Sequence, residues 1–110
     1  MPYSRCAANS FIETKLFSRL VGEHLTEEED AALQQALVDD PERGAVVRGS
    51  GGVRKIRWGQ SGRGKRGGVR VVYYAKTHEG IIWMLTIYAK SEEQTIPTHI
   101  LRKIKEEIDD

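Results

Sequence analysis

The sequence predicts an α+β domain: a small antiparallel β-sheet with two N-terminal helices and a C-terminal helix, in the order β-α-α-β-β-β-α. Three observations carry this. Apolar residues recur at helical spacing in residues 14–39 and again near the end of the chain; three segments between residues 53 and 89 have strand composition; and the links between those segments are turns too short for helical crossovers. At 110 residues, 39% of them hydrophobic and 30% charged, the chain reads as a single globular domain, residues 1–110.

Residues 1–10 are small and polar and read as a loose lead-in to a short strand, Phe11-Ile12-Glu13. Leu16, Phe17, Leu20, Val21 and Leu25 then follow helical spacing, with Thr14 as N-cap. A second helix starts at once. Thr26 and Glu29 form a capping box, Glu27 to Asp30 place negative charge at the positive end of the helix dipole, and Ala32, Leu33, Ala36 and Leu37 supply the apolar stripe. Asp40 precedes Pro41 and is disfavoured in the α region, so the helix ends there. After a loop containing Gly44, Gly49, Gly51 and Gly52 come the strand Val53 to Trp58, a glycine-rich segment Gly59 to Gly68, the strand Val69 to Lys76, a turn at Thr77 to Gly80, and the strand Ile81 to Ala89. The last strand is apolar on both faces, which predicts a central position, with helices packed on one side of the sheet. Ile100, Leu101, Ile104 and Ile108 mark the third helix.

The net charge of +1 conceals a partition. Residues 1–42 hold three Lys/Arg and nine Asp/Glu, residues 43–78 ten and none, and residues 79–110 four and seven, giving −6, +10 and −3. The acidic blocks read as solvated helix faces. A basic stretch without a carboxylate points to a polyanion or an acidic peptide as partner.

Several function classes are excluded. Cys6 is the single cysteine, so there is no internal disulfide and no cysteine-rich zinc site, which fits a reducing cytoplasm. The N-terminus has no apolar h-region and the longest apolar run, Ile81 to Leu85, falls far short of the ~20 residues needed to span a bilayer, so no membrane partner is expected. Gly59 to Lys65 matches a phosphate-loop pattern, but Arg66 stands where a Ser or Thr should reach Mg²⁺. Gly62, Gly64 and Gly67 match a dinucleotide fingerprint, yet both motifs need a helix immediately after them, and here a strand comes next. His24 and His99 fall on helices and His78 in a turn, with no ligand-spaced cluster, so no metal site is expected. Trp58 and Trp83 read as core aromatics. Tyr73 and Tyr74 point to opposite faces, so one of them is expected in the core.

The basic residues form a pattern. Arg63, Lys65 and Arg66 sit in a glycine-rich hairpin loop that can approach a phosphate backbone closely. Lys55 and Arg57, two apart on a strand, share one face, and Arg70 on the next strand converges with them if it shares that face. Directly opposed like charges destabilise a sheet, so such a gathering points to an absent anion. Tyr88 and Lys90, again two apart, end the next strand and could border the same surface.

These residues resemble the RelE/HigB superfamily of toxins from type II toxin–antitoxin pairs, most closely its HigB-like branch, over roughly Phe11 to Ile108. The most specific stretches are Gly51 to Arg57, Gly62 to Tyr74 and Leu85 to Lys90. The resemblance implies a metal-independent endoribonuclease without cofactor, an mRNA interferase that cuts translated mRNA on the ribosome, inhibits translation and is neutralised by a cognate helix-turn-helix, HigA-like antitoxin. It implies catalytic positions at Lys55, Arg57, Arg70 and Lys90. Arg54, Arg63, Lys65, Arg66, Tyr74 and Tyr88 are the expected RNA contacts. RelE-branch members carry a tyrosine beyond the last strand, and residues 91–110 contain none, which leaves Tyr88 or Tyr74 to stack.

The chemistry suits cleavage of RNA by its own 2′-hydroxyl, which needs positioning, charge neutralisation and proton transfer. Arg57 and Arg70 are candidates for holding phosphate oxygens. Lys55, and after it Lys90, are candidates for proton transfer, because a lysine crowded by cations can release its proton whereas arginine stays charged. Two other classes share these features: a ParE-like gyrase inhibitor of the same fold, and a nucleic-acid-binding module without catalysis.

Overall fold

Thr14 organises the start of the domain. In the computed structural model, which describes residues 10–58, 68–89 and 96–109, its hydroxyl accepts a hydrogen bond from the Phe17 amide (3.0 Å) and donates one to the Leu85 carbonyl (2.7 Å). One side chain thus caps helix α1 (Lys15–His24) and ties it to the strand β5 (Ile81–Ala89). Helix α2 (Glu27–Asp39) opens on the expected capping box, in which the Thr26 hydroxyl accepts from the Glu29 amide (3.1 Å) and the Glu29 carboxylate accepts from the Thr26 amide (2.9 Å). It stops at Asp40, before Pro41.

Five strands form one mixed sheet in the order β1-β5-β4-β3-β2. The meander β3 (Arg54–Trp58), β4 (Val69–Lys76) and β5 is antiparallel as expected, with a single 3-10 turn at Thr77–Glu79 between β4 and β5. Gly80 closes that turn at φ 70°, a left-handed conformation that glycine adopts without strain. Strand β1 (Ser10–Glu13) pairs in parallel with the first half of β5, and a two-residue strand β2 (Ala45–Val46), absent from the sequence reading, borders β3.

One expectation is corrected: helices cover both faces of the sheet. Helices α1 and α2 bury Phe17, Leu33 and Leu37 against Ile56, Val71, Tyr73, Ile82, Met84 and Ile87 on one face. Helix α3 (Thr98–Asp109) packs Leu101, Ile104 and Ile108 on the other, against Val53, Val72, Leu85, Tyr74 and Trp83. A strand apolar on both faces needs a lid on each, because bare apolar surface costs about 25 cal/mol per Å².

A bulge in β5 sets which of its residues join each cluster. Val72 pairs with Thr86 and Tyr73 with Met84, so Leu85 has no partner on β4. The extra residue reverses the in/out alternation: Met84 and Ile87 share the face of α1 and α2, while Leu85 and Tyr88 share the face of α3.

Candidate functional site

The face covered by α3 also carries the cations. Arg57 on β3 lies directly opposite Arg70 on β4, and Arg70 lies opposite Tyr88 on β5, so the three form one row across three strands. Lys55, two residues before Arg57, pairs with Val72. Its ammonium lies 6.0 Å from the centre of the Tyr88 ring. Arg57 is exposed, Lys55 and Arg70 are half-buried, and Tyr88 is only 8% exposed. The structure therefore brings together Lys55, Arg57, Arg70 and Tyr88. Two arginines on neighbouring strands, facing the same way, put two guanidinium groups where a phosphate can meet both.

Two expected RNA contacts fall elsewhere. Arg54 points to the opposite face, where its Nη1 donates to the carbonyls of Gly44 (2.7 Å) and Glu42 (3.1 Å); there it fastens the turn after α2 to β3. Tyr74 is engaged beneath α3, its hydroxyl donating to the Asp109 carboxylate at 3.1 and 3.2 Å. Burial and the hydrogen bond to Asp109 push the Tyr74 phenol up. Tyr74 is therefore a tether for α3 rather than a stacking platform. Lys90 and the loop cations Arg63, Lys65 and Arg66 lie outside the described residues.

Around Tyr74 a polar cluster escaped the sequence reading. Asp109 accepts from Lys105 (2.9 Å) and lies 3.6 Å from Lys76, which also reaches Glu79 at 3.4 Å. The Lys105 hydrogen bond holds the Asp109 carboxyl below its usual range, with Tyr74 adding to the effect. The i, i+4 spacing of Lys105 and Asp109 was a legible signal; their meeting with Tyr74 and Lys76 was not.

The remaining aromatics and histidines are accounted for. Trp58 lies on the face of α1 and α2, donating through Nε1 to the Glu29 carbonyl (3.1 Å) beneath the Arg43 guanidinium, and Trp83 packs on the α3 face. Both tyrosines of the β4 pair are packed, since both faces are covered: Tyr73 is fully buried, with its hydroxyl donating to the Pro41 carbonyl (2.9 Å) and accepting from the Gly44 amide (2.8 Å). His24 lines a groove of about 250 Å³ with Leu16, Leu20, Ile87, Tyr88 and Ile96. His78 and His99 are exposed. Among the described residues no three His, Cys, Asp or Glu side chains are grouped to hold a metal ion, and no helix is long and apolar enough to cross a membrane.

The comparisons with known proteins bear on this arrangement. A solved structure of a mutant E. coli RelE toxin in the free state, with two arginines replaced by alanine, is similar to this chain with a TM-score of 0.55 at 15% identity, over 89% of this chain and 97% of that one. At that identity the likeness speaks for the fold alone. The sequence itself matches the family described as the RelE toxin of the RelE/RelB toxin–antitoxin system over residues 11–108, a span that holds the basic row and, but for Ser10 and Asp109 at its ends, every strand and helix described. With nearly the whole domain matched and the fold shared, the chain belongs to the RelE toxin family of toxin–antitoxin systems.

Proposed function

We propose that the chain is a ribosome-dependent mRNA endoribonuclease that blocks translation and is neutralised by a cognate helix-turn-helix antitoxin. The observation that carries this reading is the row Arg57, Arg70 and Tyr88, with Lys55 leaning over the tyrosine ring. Each part has a use in cleavage. Arg57 and Arg70 grip the non-bridging oxygens of the scissile phosphate and stabilise the charge that grows on them as the 2′-oxygen attacks phosphorus. The 2′-hydroxyl gives up its proton, the bond from phosphorus to the 5′-oxygen breaks, and that oxygen takes a proton as it leaves. The products are a 2′,3′-cyclic phosphate and a 5′-hydroxyl. Lys55 is the proton-transfer group of this set, because it is the member with an amine rather than a guanidinium.

Dependence on the ribosome follows from what the site leaves to its substrate. The row supplies charge and proton transfer from one flat sheet face, so a second surface must hold the RNA in line for attack. An antitoxin that covers the basic row would silence it, and a polyanionic or acidic segment suits that role.

The test is a reconstituted translation reaction with the full chain and a defined message. The expected result is cleavage of the message only while it is being translated, with 5′-hydroxyl ends. Intact message alongside DNA breaks would instead indicate a gyrase-directed toxin, and salt-sensitive RNA binding without any cut would indicate a plain binding module.

A further inference from the structure

We infer that Tyr88 is a positioning residue for Lys55, holding its ammonium among the arginines rather than stacking on a base of the RNA; this rests on the ribonuclease reading above. The geometry supports it in three ways. Lys55 pairs with Val72 on β4, so Tyr88 on β5 is two strands away, or about 9.5 Å across the sheet. Lysine stem and tyrosine ring between them therefore span β4 to bring the ammonium 6.0 Å from the ring centre. Nothing in a strand's alternation requires that path.

Electrostatics would favour a different one. Arg57 and Arg70 share the face of Lys55, and a flexible lysine beside another cation gains by turning its ammonium outward into solvent. The negative face of an aromatic ring is a neutral group that attracts an ammonium without forming an ion pair with it, and so holds it in place. A carboxylate at this position would also compete with the RNA phosphate for both arginines.

The ring itself is held firmly. Tyr88 is only 8% exposed and packs in one cluster with Val53, Val72, Leu85 and Leu101, so the residue leading into β3, two strands and α3 help to fix it. A base could not stack on a ring so deeply covered without displacing the lysine above it. The bulge at Leu85 is what turns Tyr88 to this face and thereby makes the contact.

The experiment compares cleavage of message on programmed ribosomes by the wild-type chain and four full-length variants: Tyr88→Leu, Tyr88→Phe, Lys55→Ala and the Lys55→Ala/Tyr88→Leu double variant. Thermal unfolding of each accounts for any loss of folded protein. Tyr88→Leu is expected to lower kcat by about 10²-fold with KM nearly unchanged, as misplacing a reacting group does. Tyr88→Phe keeps the ring and recovers most of that loss. In the Lys55→Ala background, Tyr88→Leu has no further effect, because the group it positioned is gone. An equal loss from Tyr88→Leu with and without Lys55, or a loss confined to KM, overturns the positioning role. A failure of Tyr88→Phe to recover activity overturns it too, by assigning the work to the hydroxyl. A wild-type chain that never cuts translated message refutes the ribonuclease reading instead, whereas an active wild type with a tolerant position 88 refutes only the inference.

Discussion

Arg54 and Arg57 lie three residues apart on the same short strand, yet the two faces of the sheet use them differently. Arg54 faces α1 and α2, and its guanidinium is spent on the carbonyls of Glu42 and Gly44. Arg57 faces the other way, exposed, with a second arginine opposite it. The first face is organised to satisfy the polar groups of its large side chains: Tyr73 bridges Pro41 and Gly44, and Trp58 donates to Glu29. On the second, α3 is fastened at one end by Asp109 and the cations are gathered in the row of Arg57 and Arg70. Identical side chains thus stabilise the domain on one face and prepare an anion site on the other, and strand parity decides which.

The largest test of this contrast is Arg70→Ala. It should lower cleavage of translated message by about 10²–10³-fold, the usual effect of removing a donor to developing negative charge, while the fold survives. A comparable loss of stability would erase the distinction between the faces. Tyr73→Phe should do the reverse. Deleting its hydroxyl strands the Gly44 amide in a buried site and should cost about 1–3 kcal/mol in denaturant unfolding, with the folded fraction cutting at the wild-type rate.

Arg54→Ala should follow Tyr73→Phe at lower magnitude, about 1–2 kcal/mol, because its charge-assisted bonds are more exposed. The salt dependence of RNA binding sharpens the comparison. Arg57→Ala should reduce the slope of log affinity against log salt by about 1, and Arg54→Ala should leave it unchanged. Equal slopes for the two variants would show that strand parity does not sort their roles.

The smallest effect concerns the clasp on α3. Asp109 has its folded pKa lowered by Lys105 and Tyr74, so its contribution is present above the ordinary carboxylate range and is lost as pH falls through the folded value, below 3.8. Because the carboxylate is partly exposed, the loss should stay under about 1 kcal/mol. Asp109→Asn should abolish that acid-dependent component, measurable as a flatter unfolding midpoint between pH 5 and pH 2 in roughly the window that linkage predicts. An unchanged midpoint profile would mean that the clasp adds nothing to the docking of α3.

Much of this was legible because it is local. Thr14 and Thr26 announce their helices through hydroxyls that bond amides three residues away, and Asp40-Pro41 ends α2 through a steric clash between neighbours. Lys55 and Arg57 share a face because alternate residues of any strand do. The parallel pairing of β1 with β5 is not local, since Phe11 and Ile82 are joined only by the fold. Nor is the placement of α3: its apolar stripe shows that it must cover something, but not which face of the sheet. The role of Tyr74 fell with that unknown, because the same tyrosine is a stacking platform under open solvent and a tether under a helix.

The sequence alone determined the helices, the meander, the basic block and the sharing of a face by Lys55 and Arg57, since each depends on chemistry within a few residues or on simple alternation. Only the tertiary structure decided that Arg57 meets Arg70 and that Tyr88 joins them. Strict alternation would have put Tyr88 on the face of Met84, beneath α1 and α2. The unpaired Leu85 reverses that parity, and it does so through a backbone register set by the packing of whole strands and helices rather than by any short stretch of residues.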